Sequence, residues 1–431
     1  MLLFTKLSFL GIIVVFFINI NGDFFIMKVV FAMDSMKGSL SSLECGNAAA
    51  EGLLRAIPDA EYDVRPLADG GEGTVQAVTM GCNGVFEDIT VTGPLGDKID
   101  ARYGIISDPS KTAIIEIAAA AGLTLIPDID RDPIKTTTYG VGEMINDAIN
   151  KGCRNFIIGL GGSATNDAGI GMLQALGAKF YDEHNQPITG ENGYLTGGDL
   201  EFIRSISAES FNPLLHECRF RVACDVNNPL FGPNGASHIF GPQKGLFQSE
   251  IELMDNWMSE FAELTTQILG LEIDPDYPGC GAAGGLGFTF KYYLGSELES
   301  GNKIVIEETG LKKYISQADI VVTGEGCLDA QTAMGKAPIG IAHIAKVFGK
   351  PVFALVGSVS PGFDGEALPD VDAYFPIIRR PSTLEESMDS ETARINITST
   401  CEQIFNLIRN ISNHDIDSDK EDKNEEENFF D

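Results

Sequence analysis

The chain is short of basic residues, histidine and tryptophan, and the first two shortages exclude classes of function. In 431 residues, 30 Lys and Arg stand against 62 Asp and Glu, which gives a formal net charge of −32. So acidic a surface repels a phosphate backbone, which argues against nucleic-acid binding. The five histidines lie outside the polar loops considered below, so a histidine-dependent triad or a zinc site has little support.

Two motifs are also absent. The eight cysteines show neither paired nor metal-ligand spacing, which argues against a disulfide framework and favours a reducing compartment. No G-x-x-x-x-G-K-[ST] sequence occurs, because Gly335-Lys336 is followed by Ala337 and lacks the upstream glycine. If the protein binds a nucleotide, residues outside such a motif must hold its phosphates.

The two ends of the chain differ from the part between them. Residues 1–26 contain an apolar run after Lys6, typical of a secretory signal peptide or a short anchor, with Met27 as the competing start. Residues 413–431 carry nine acids against two lysines and are expected to form a disordered tail. We expect a cytoplasmic fold without stable membrane association, with the secretory route as the alternative if residues 1–22 act as a signal.

Between these ends, short apolar segments alternate with helix-like ones, which predicts an α/β fold of two or three domains. From about residue 85 the pattern changes to mixed or antiparallel strands, and a domain boundary is predicted near residue 90. The strand–helix alternation returns in the last third. In open α/β sheets, ligands bind at the carboxyl ends of the strands.

The stretch FIIGLGGSATNDAGIGMLQALG at 156–177 predicts a strand, a glycine-rich turn and a helix. Gly161 and Gly162 let the backbone approach a ligand, and N–H groups at the start of the helix attract phosphate. Ser163 and Thr165 add hydroxyls, and Asp167 adds a carboxylate suited to a metal ion or a substrate hydroxyl. The alternative is a plain strand-to-helix turn in which Ser163 or Thr165 caps the helix.

Four further polar loops follow predicted strands. Lysines suit phosphate charge and carboxylates suit magnesium, so this inventory favours phosphoryl transfer. Non-functional acidic or asparagine-rich turns are the alternative for the loops taken singly. The loops hold acids, lysines, amides and hydroxyls: Asp34, Ser35, Lys37 and Ser39; Asp69, Glu72 and Thr74; Asp225, Gln243 and Lys244; and Glu325, Asp329, Gln331 and Lys336.

Two other functions fit parts of the sequence. Gly159 to Ala164 matches G-x-G-x-x-A after a strand, and Asp182 follows where a ribose-binding acid is expected, as in an NAD(P)-dependent oxidoreductase. That hypothesis leaves the lysine and carboxylate loops without a role. A non-catalytic secreted binding protein is supported mainly by the signal-like amino terminus.

Taken in order, the motifs resemble the type 1 glycerate kinase family over about residues 27–410. Several such motifs in sequence are far more specific than any one of them. One departure is Cys327, where an arginine is expected in GEGRLD-like versions. The segments that carry the resemblance are DSMKGSLSS, PLADGGEGT, GLGGSATNDAGIGMLQALGA, ACDVNNPLFGPNGA, FGPQKG, GAAGGLG and GEGCLDAQTAMGKAPIGIA.

The resemblance implies two α/β domains with the active site in the cleft between them. One is a Rossmann-like domain built from both chain ends, residues 27–90 and 285–412, and the other is a mixed α/β domain inserted at 91–284. The implied reaction is phosphorylation of D-glycerate to 2-phosphoglycerate with ATP and Mg²⁺. A homodimer is left open.

The resemblance also suggests roles for the residues singled out above. The glycine-rich loop would cradle nucleotide phosphate, and Asp167 or Asp329 would accept the proton of the substrate hydroxyl. The remaining roles are charge balance on the transferring phosphoryl group, magnesium binding and glycerate binding. Lys37 or Lys244 would balance charge on the transferring phosphoryl group. The candidates for magnesium binding are Asp69, Asp225 and Glu325. The candidates for glycerate binding are Asp34, Ser39, Asp69 and Lys336.

Overall fold

The computed structural model describes residues 26–427 except 69, 108, 110, 208, 330–336, 364–367 and 369, and leaves out the side chains of 337 and 412–427. The strands of this part are β1 Lys28–Met33, β2 Glu61–Val64, β3 Val85–Thr92, β4 Lys98–Ile106, β5 Thr112–Glu116, β6 Asn155–Gly159, β7 Lys179–Tyr181, β8 Pro187–Ile188, β9 Ser205–Ser207, β10 Arg219–Ala223, β11 Glu297–Glu299, β12 Ile320–Leu328, β13 Val352–Val359 and β14 Ala373–Pro376. The helices are α1 Ser42–Ala56, α2 Thr74–Gly81, α3 Ala118–Ala121, α4 Tyr139–Asn150, α5 Ile170–Ala175, α6 Ala236–Phe240, α7 Gln248–Leu269, α8 Ala282–Tyr293, α9 Gly301–Glu308, α10 Leu311–Gln317, α11 Ala337–Val347, α12 Leu384–Met388 and α13 Ser390–Glu427.

The chain divides into two compact units. Among the described residues, unit 1 combines those up to 67 with those from 310 onward, and unit 2 comprises those from 68 to 309. The boundaries expected near 90 and 284 fall inside unit 2, because α2 packs against β4 and β5, and α9 packs against α2 and β10. The change of sequence pattern near residue 90 therefore marks the antiparallel β3–β4 pair and not a domain boundary.

Unit 1 contains a parallel five-stranded sheet in the order β14-β13-β12-β1-β2. Apolar side chains from β1, α1 and α13 share a core on one face of this sheet. Helix α1 begins with a capping box in which Ser41 accepts from the Glu44 N–H and the Glu44 carboxylate accepts from the Ser41 N–H. The carboxyl ends of β1 and β12 lie side by side, with Met33 opposite Gly324.

Unit 2 is built on a six-stranded sheet in the order β11-β10-β6-β5-β4-β3, in which β3–β4 and β4–β5 are antiparallel and the other pairs parallel. Successive β6 residues alternate between two cores: Phe156 and Ile158 pack with α4 and α8, and Ile157 packs with α2 and α9. Antiparallel strands β7, β8 and β9 form a separate small sheet. The predicted mixed α/β fold is thus confirmed.

Two segments depart from the sequence prediction. Strand β12 continues to Leu328, so Glu325 and Cys327, expected in a loop, lie in the strand and pair with β13. The backbone of 413–427 continues α13, where a disordered tail was expected. No Pro or Gly interrupts this stretch, and Glu and Lys have good helix propensity. Within the described ranges, no helix is both long and apolar enough to cross a membrane.

Candidate active site

Most of the glycine-rich loop after β6 is buried. Gly162 is exposed and Gly161 half-buried, whereas every residue from Ser163 to Ala168 is buried. Gly162 has a φ of 72°, which favours glycine. The backbone at 161–162 is therefore the part of this loop that a ligand in solvent can approach, while the hydroxyl of Thr165 lies in the interior.

The helix expected directly after the turn begins later than predicted. Helix α5 starts at Ile170, and its N-cap is Gly169 with a φ of 75°. Two N–H groups at this helix end, those of Gly169 and Gly171, donate to the Asp167 carboxylate at 3.0 and 3.3 Å. The start of this helix, which was expected to attract phosphate, instead binds a carboxylate of the same loop.

Asp167 is fully buried and accepts four hydrogen bonds. Besides the two from the start of α5, the N–H and the hydroxyl of Thr138 donate to its Oδ2 at 2.9 and 2.7 Å. The Thr138 hydroxyl in turn accepts from the N–H of Met172 at 2.9 Å. Burial raises the pKa of the Asp167 carboxyl, although the four donors favour its charged form. This carboxylate joins the starts of α4 and α5.

Lys244 braces the same loop from the side of the protein interior. Its side chain is 2% exposed, and Nζ donates to Ser163 Oγ at 2.8 Å and to the Thr165 carbonyl at 2.6 Å. Burial lowers the pKa of Lys244 to about 7, against an opposing effect of the Asp167 charge. The structure thus brings Ser163, Thr165, Asp167 and Lys244 together.

The GAAGGLG segment lies behind this loop. Ala283, Gly284 and Gly285 have φ values of 52°, 67° and 92° and interrupt α8. The carbonyl of Gly284 accepts from the Ala168 N–H at 2.9 Å, and a Cβ on Gly284 would stand 2.7 Å from the Cα of Asn166. The segment is therefore a close backbone contact that supports the loop.

A second glycine-rich loop, at 70–73, lies against the first. A Cβ on Gly159 would stand 2.6 Å from the Gly70 carbonyl oxygen, and one on Gly161 would collide with the Cα of Gly71. Glycine is required at both positions because the two backbones touch. Asp69, expected at a metal or substrate site, lies outside the described residues.

Asp225 follows β10 at the same edge of the unit 2 sheet. Its side chain is exposed, and Oδ1 accepts from the Gly301 N–H at 3.2 Å. The Leu160 N–H donates to the Ala223 carbonyl at 3.2 Å, which connects the end of β10 to the glycine-rich loop. Asp225 thus lies at the expected edge, where one of its oxygens binds the start of α9.

In unit 1, Asp34, Lys37 and Ser39 lie in the loop after β1. The Asp34 N–H donates to the Gly324 carbonyl at 2.9 Å, and its Oδ1 accepts from the Ser35 N–H at 2.7 Å. Lys37 is exposed. The Ser39 carbonyl accepts from the Ser390 hydroxyl at 2.7 Å, so this loop is anchored to the start of α13.

The other unit 1 candidates come from β12 and the residues after it. Glu325 is 5% exposed and sits opposite Val356 in the parallel pair with β13. Asp329 is half-buried just past the strand end, and Lys336 lies outside the described residues. Among the residues described, no group of three or more His, Cys, Asp or Glu side chains is arranged to hold a metal ion.

The position of Asp182 contradicts the dinucleotide-binding interpretation. A ribose-binding acid follows the strand next to the one that leads into the glycine-rich turn. Asp182 instead follows β7, which pairs with β8 and β9 in the small sheet, while β6 pairs with β5 and β10. Its Oδ1 accepts from the N–H groups of His184 and Gln186 at 2.9 and 2.7 Å, which is a local turn.

Two residues at these loops were missed. Thr138 gives no signal in the sequence, because its partners Asp167 and Met172 are distant along the chain. Glu116 ends β5 and reaches the start of α2, where its Oε1 accepts from the Val75 N–H at 2.8 Å. The signal available for Glu116 was a carboxylate within an otherwise apolar run, TAIIEIAAAAGL.

The sequence matches the glycerate kinase family over residues 29–409. It is 46% identical over 361 residues to glycerate 2-kinase of Escherichia coli strain K12, covering 84% of this chain and 93% of that protein. It is 44% identical over 382 residues to a glycerate kinase of Haemophilus influenzae, covering 89% and 99%. The crystal structure of putative glycerate kinase 2 from Salmonella typhimurium LT2 superimposes with a TM-score of 0.79 at 42% identity, covering 89% of this chain and 99% of that one.

Fold and relatives together define a phosphotransferase that acts on an alcohol group. The chain belongs to the glycerate kinase family. The oxidoreductase and the secreted binding protein, weighed on sequence alone, find no support among these relatives.

Proposed function

We propose that the protein transfers the γ-phosphoryl group of ATP to the 2-hydroxyl of D-glycerate and releases 2-phosphoglycerate. The observation that carries the proposal is the glycine-rich loop after β6. Its exposed backbone at 161–162 is supported by a buried network of Lys244, Ser163 and Asp167. Rigid backbone N–H groups suit a transition state whose charge is spread over phosphoryl oxygens.

The burial pattern divides the candidate residues of unit 2 into two sets. Gly161 and Gly162 are proposed to contact nucleotide phosphate, because they form the accessible edge of the loop, whereas Ser163 is buried. Thr165, Asp167 and Lys244 are buried and hold that edge in place. For the proton of the substrate hydroxyl we favour Asp329 over Asp167, since both oxygens of Asp167 already accept hydrogen bonds.

In unit 1, the exposed ammonium of Lys37 is proposed to balance charge on the transferring phosphoryl group. Asp34 and Ser39 are proposed to contact glycerate. Two further assignments rest on the sequence alone: Asp69 for metal or glycerate, and Lys336 for the glycerate carboxylate.

Magnesium is proposed as the metal cofactor, with Asp225 and Glu325 as further candidate ligands. Both supply carboxylate oxygens, the ligand type that Mg²⁺ takes. Mg²⁺ commonly uses one or two carboxylates together with water and substrate phosphate, so it needs no cluster of three protein side chains. When bound, it would neutralise charge on the phosphates of ATP.

We further propose a cytoplasmic location, supported by eight cysteines that form no disulfide bond. Mass spectrometry of the native amino terminus tests this, because cleavage near residue 22 would show a secretory route. A homodimer stays a prediction, to be tested by size-exclusion chromatography with light scattering.

The reaction is tested with the full chain, ATP, Mg²⁺ and D-glycerate. Release of ADP is followed with time, and the product is identified by phosphorus–proton correlation NMR. In 2-phosphoglycerate the phosphorus couples to one methine proton, whereas in 3-phosphoglycerate it couples to a methylene pair. Methylene coupling would overturn the regiochemistry, and no ADP release together with NAD-dependent turnover would overturn the kinase assignment.

A further inference from the structure

Glu116 is a partly buried carboxylate with no role in the mechanism proposed above. It is the last residue of β5 and lies opposite Gly159, where β6 leads into the glycine-rich loop. Its backbone is tied to this position because the N–H of the next residue, Ile117, donates to the Gly159 carbonyl at 3.1 Å. Glu116 is thereby held at the carboxyl edge of the sheet, where α/β proteins bind ligands.

The side chain of Glu116 caps a helix that has no cap of its own. Helix α2 begins after Gly73, an N-cap residue with a φ of 92° and no side chain to accept hydrogen bonds. Glu116 Oε1 accepts from the Val75 N–H at 2.8 Å, and the N–H groups of Gly73 and Thr74 also favour its charged form. A residue from a neighbouring strand therefore does what Ser, Thr or Asp normally does at this position.

The capped segment is the loop that touches the glycine-rich loop. The Gly70 carbonyl would lie 2.6 Å from a Cβ on Gly159, and Gly161 packs on Gly71 with no room for a side chain. A shift of the 70–75 segment must therefore displace the backbone that carries Gly161 and Gly162. Glu116 sits between the two loops, with Cγ 3.5 Å from the Cβ position of Gly159.

We infer that Glu116 is a positioning residue for phosphoryl transfer, which caps α2 from β5 and so keeps the loop at 70–73 in place against the glycine-rich loop at 159–162. The inference rests on the proposed function. Burial, with a smaller effect of the Glu72 charge, raises the pKa of Glu116 to about 7. A carboxylate that is costly to bury is thus retained beside the loop predicted to bind phosphate.

The test compares truncation of Glu116 with truncation of another partly buried carboxylate of unit 2. Asp147 is the matched control, because its Oδ2 accepts from the Tyr103 hydroxyl at 2.6 Å and from Lys151 at 2.8 Å, both outside these loops. Full-length wild type, Glu116→Ala, Glu116→Gln, Asp147→Ala and Asp147→Asn are assayed for kcat and for both KM values. Thermal unfolding is measured in parallel.

We expect Glu116→Ala to lower kcat about 10- to 100-fold with each KM changed less than about threefold, since misplaced loops cost rate more than binding. Glu116→Gln should recover kcat to within about fivefold, because its amide oxygen still accepts from Val75. The Asp147 variants should lower Tm by about as much as the Glu116 variants do, while their kcat stays within about twofold of the wild-type value.

Equal kcat for Glu116→Ala and Asp147→Ala at similar Tm would overturn the inference and leave the proposed function standing. Absence of wild-type turnover would overturn both. If Glu116→Ala does not fold, Glu116→Asp decides, because it keeps the charge and withdraws the oxygen by about one C–C bond, roughly 1.5 Å. A kcat for Glu116→Asp equal to wild type would then refute the positioning role.

Discussion

The ammonium of Lys244 donates to the hydroxyl of Ser163 at 2.8 Å, inside a region that excludes solvent. The same nitrogen binds the Thr165 carbonyl at 2.6 Å, so it fixes two points of the glycine-rich loop at once. Its burial favours support of the loop over direct contact with phosphate. Direct charge balance on the transferring phosphoryl group therefore falls, in our proposal, to the exposed Lys37.

Lys244→Met should impair both stability and catalysis. The variant leaves the Ser163 hydroxyl and the Thr165 carbonyl without their donor and removes the cation that acts on Asp167. We expect a loss of about 2–4 kcal/mol in the free energy of unfolding and a fall of roughly 100-fold in kcat/KM. Urea unfolding and steady-state kinetics measure the two effects.

Lys303→Met is the control, because Lys303 is exposed and pairs with Glu299 on the surface at 2.7 Å. Its effect on the free energy of unfolding should be small, because an exposed ion pair contributes little to stability. Equal effects of the two substitutions would show that Lys244 does not brace the loop.

The lowered pKa of Lys244 predicts a pH dependence of stability. In the unfolded chain a lysine keeps its proton to above pH 10, whereas in the fold the pKa is about 7. Between these values the unfolded state binds more protons, so the free energy of unfolding should rise with pH, by at most about 1.4 kcal/mol per pH unit. Urea unfolding at pH 7, 8 and 9 measures the slope.

Lys244→Met should lack this contribution, so its slope between pH 7 and pH 9 should be smaller than that of the wild type. Identical slopes in the two proteins would contradict burial of an ionisable amine at this position. The comparison removes the contributions of other groups, because these are common to both proteins.

Asp167→Asn should destabilise the protein strongly, although asparagine and aspartate have nearly the same shape. Both oxygens of Asp167 face donors, namely Gly169 on Oδ1 and Thr138 with Gly171 on Oδ2. An amide must turn its NH₂ group toward one of these sets, which leaves buried N–H groups without acceptors. We expect a loss of about 2–4 kcal/mol in the free energy of unfolding, measured by urea unfolding.

Asp255→Asn is the matched substitution for Asp167→Asn. Asp255 is also largely buried, but the N–H of Gly232 bonds both its oxygens, at 3.0 and 2.9 Å, so an amide oxygen can take over. The Asp255→Asn variant should lose only about 1 kcal/mol in the free energy of unfolding. If Asp167→Asn is fully stable but inactive, Asp167 is the general base and our preference for Asp329 is wrong.

Local features of the fold could be predicted because they depend on neighbours in sequence. The capping box of Ser41 and Glu44 and the alternation of β6 side chains between two cores follow from spacing alone. The position of the glycine-rich loop after β6 follows in the same way. The family and the reaction class were indicated by the ordered motifs and by the lysines and carboxylates of the polar loops.

The inward direction of the polar residues in that loop could not be predicted. Asp167 depends on Thr138, and Ser163 depends on Lys244, two partners that are distant in sequence. A run of polar residues after a strand is compatible with side chains that point inward or toward solvent. Only tertiary contacts decide which of them meet solvent. Glu116 was missed for the same reason, since its partner Val75 belongs to another element.

Cys327 is the position where this chain departs from the expected GEGRLD-like sequence, and replacing it tests what the departure costs. Cys327 is half-buried in β12, and its Sγ lies 3.4 Å from the Ser360 hydroxyl. It lies two residues beyond Glu325, on the same face of the strand. Cys327→Arg would add a guanidinium, which binds phosphate or carboxylate in a bidentate manner.

We expect Cys327→Arg to lower KM for ATP or for D-glycerate by about threefold to tenfold, with kcat within about twofold of wild type. This pattern is expected when a new contact stabilises the bound substrate and the transition state equally. The gain should shrink between low salt and 0.5 M salt, because screening weakens an accessible charge–charge contact. Cys327→Met supplies similar length without charge and should leave both KM values unchanged. If the Met and Arg variants behave alike, then this position contacts no anionic substrate.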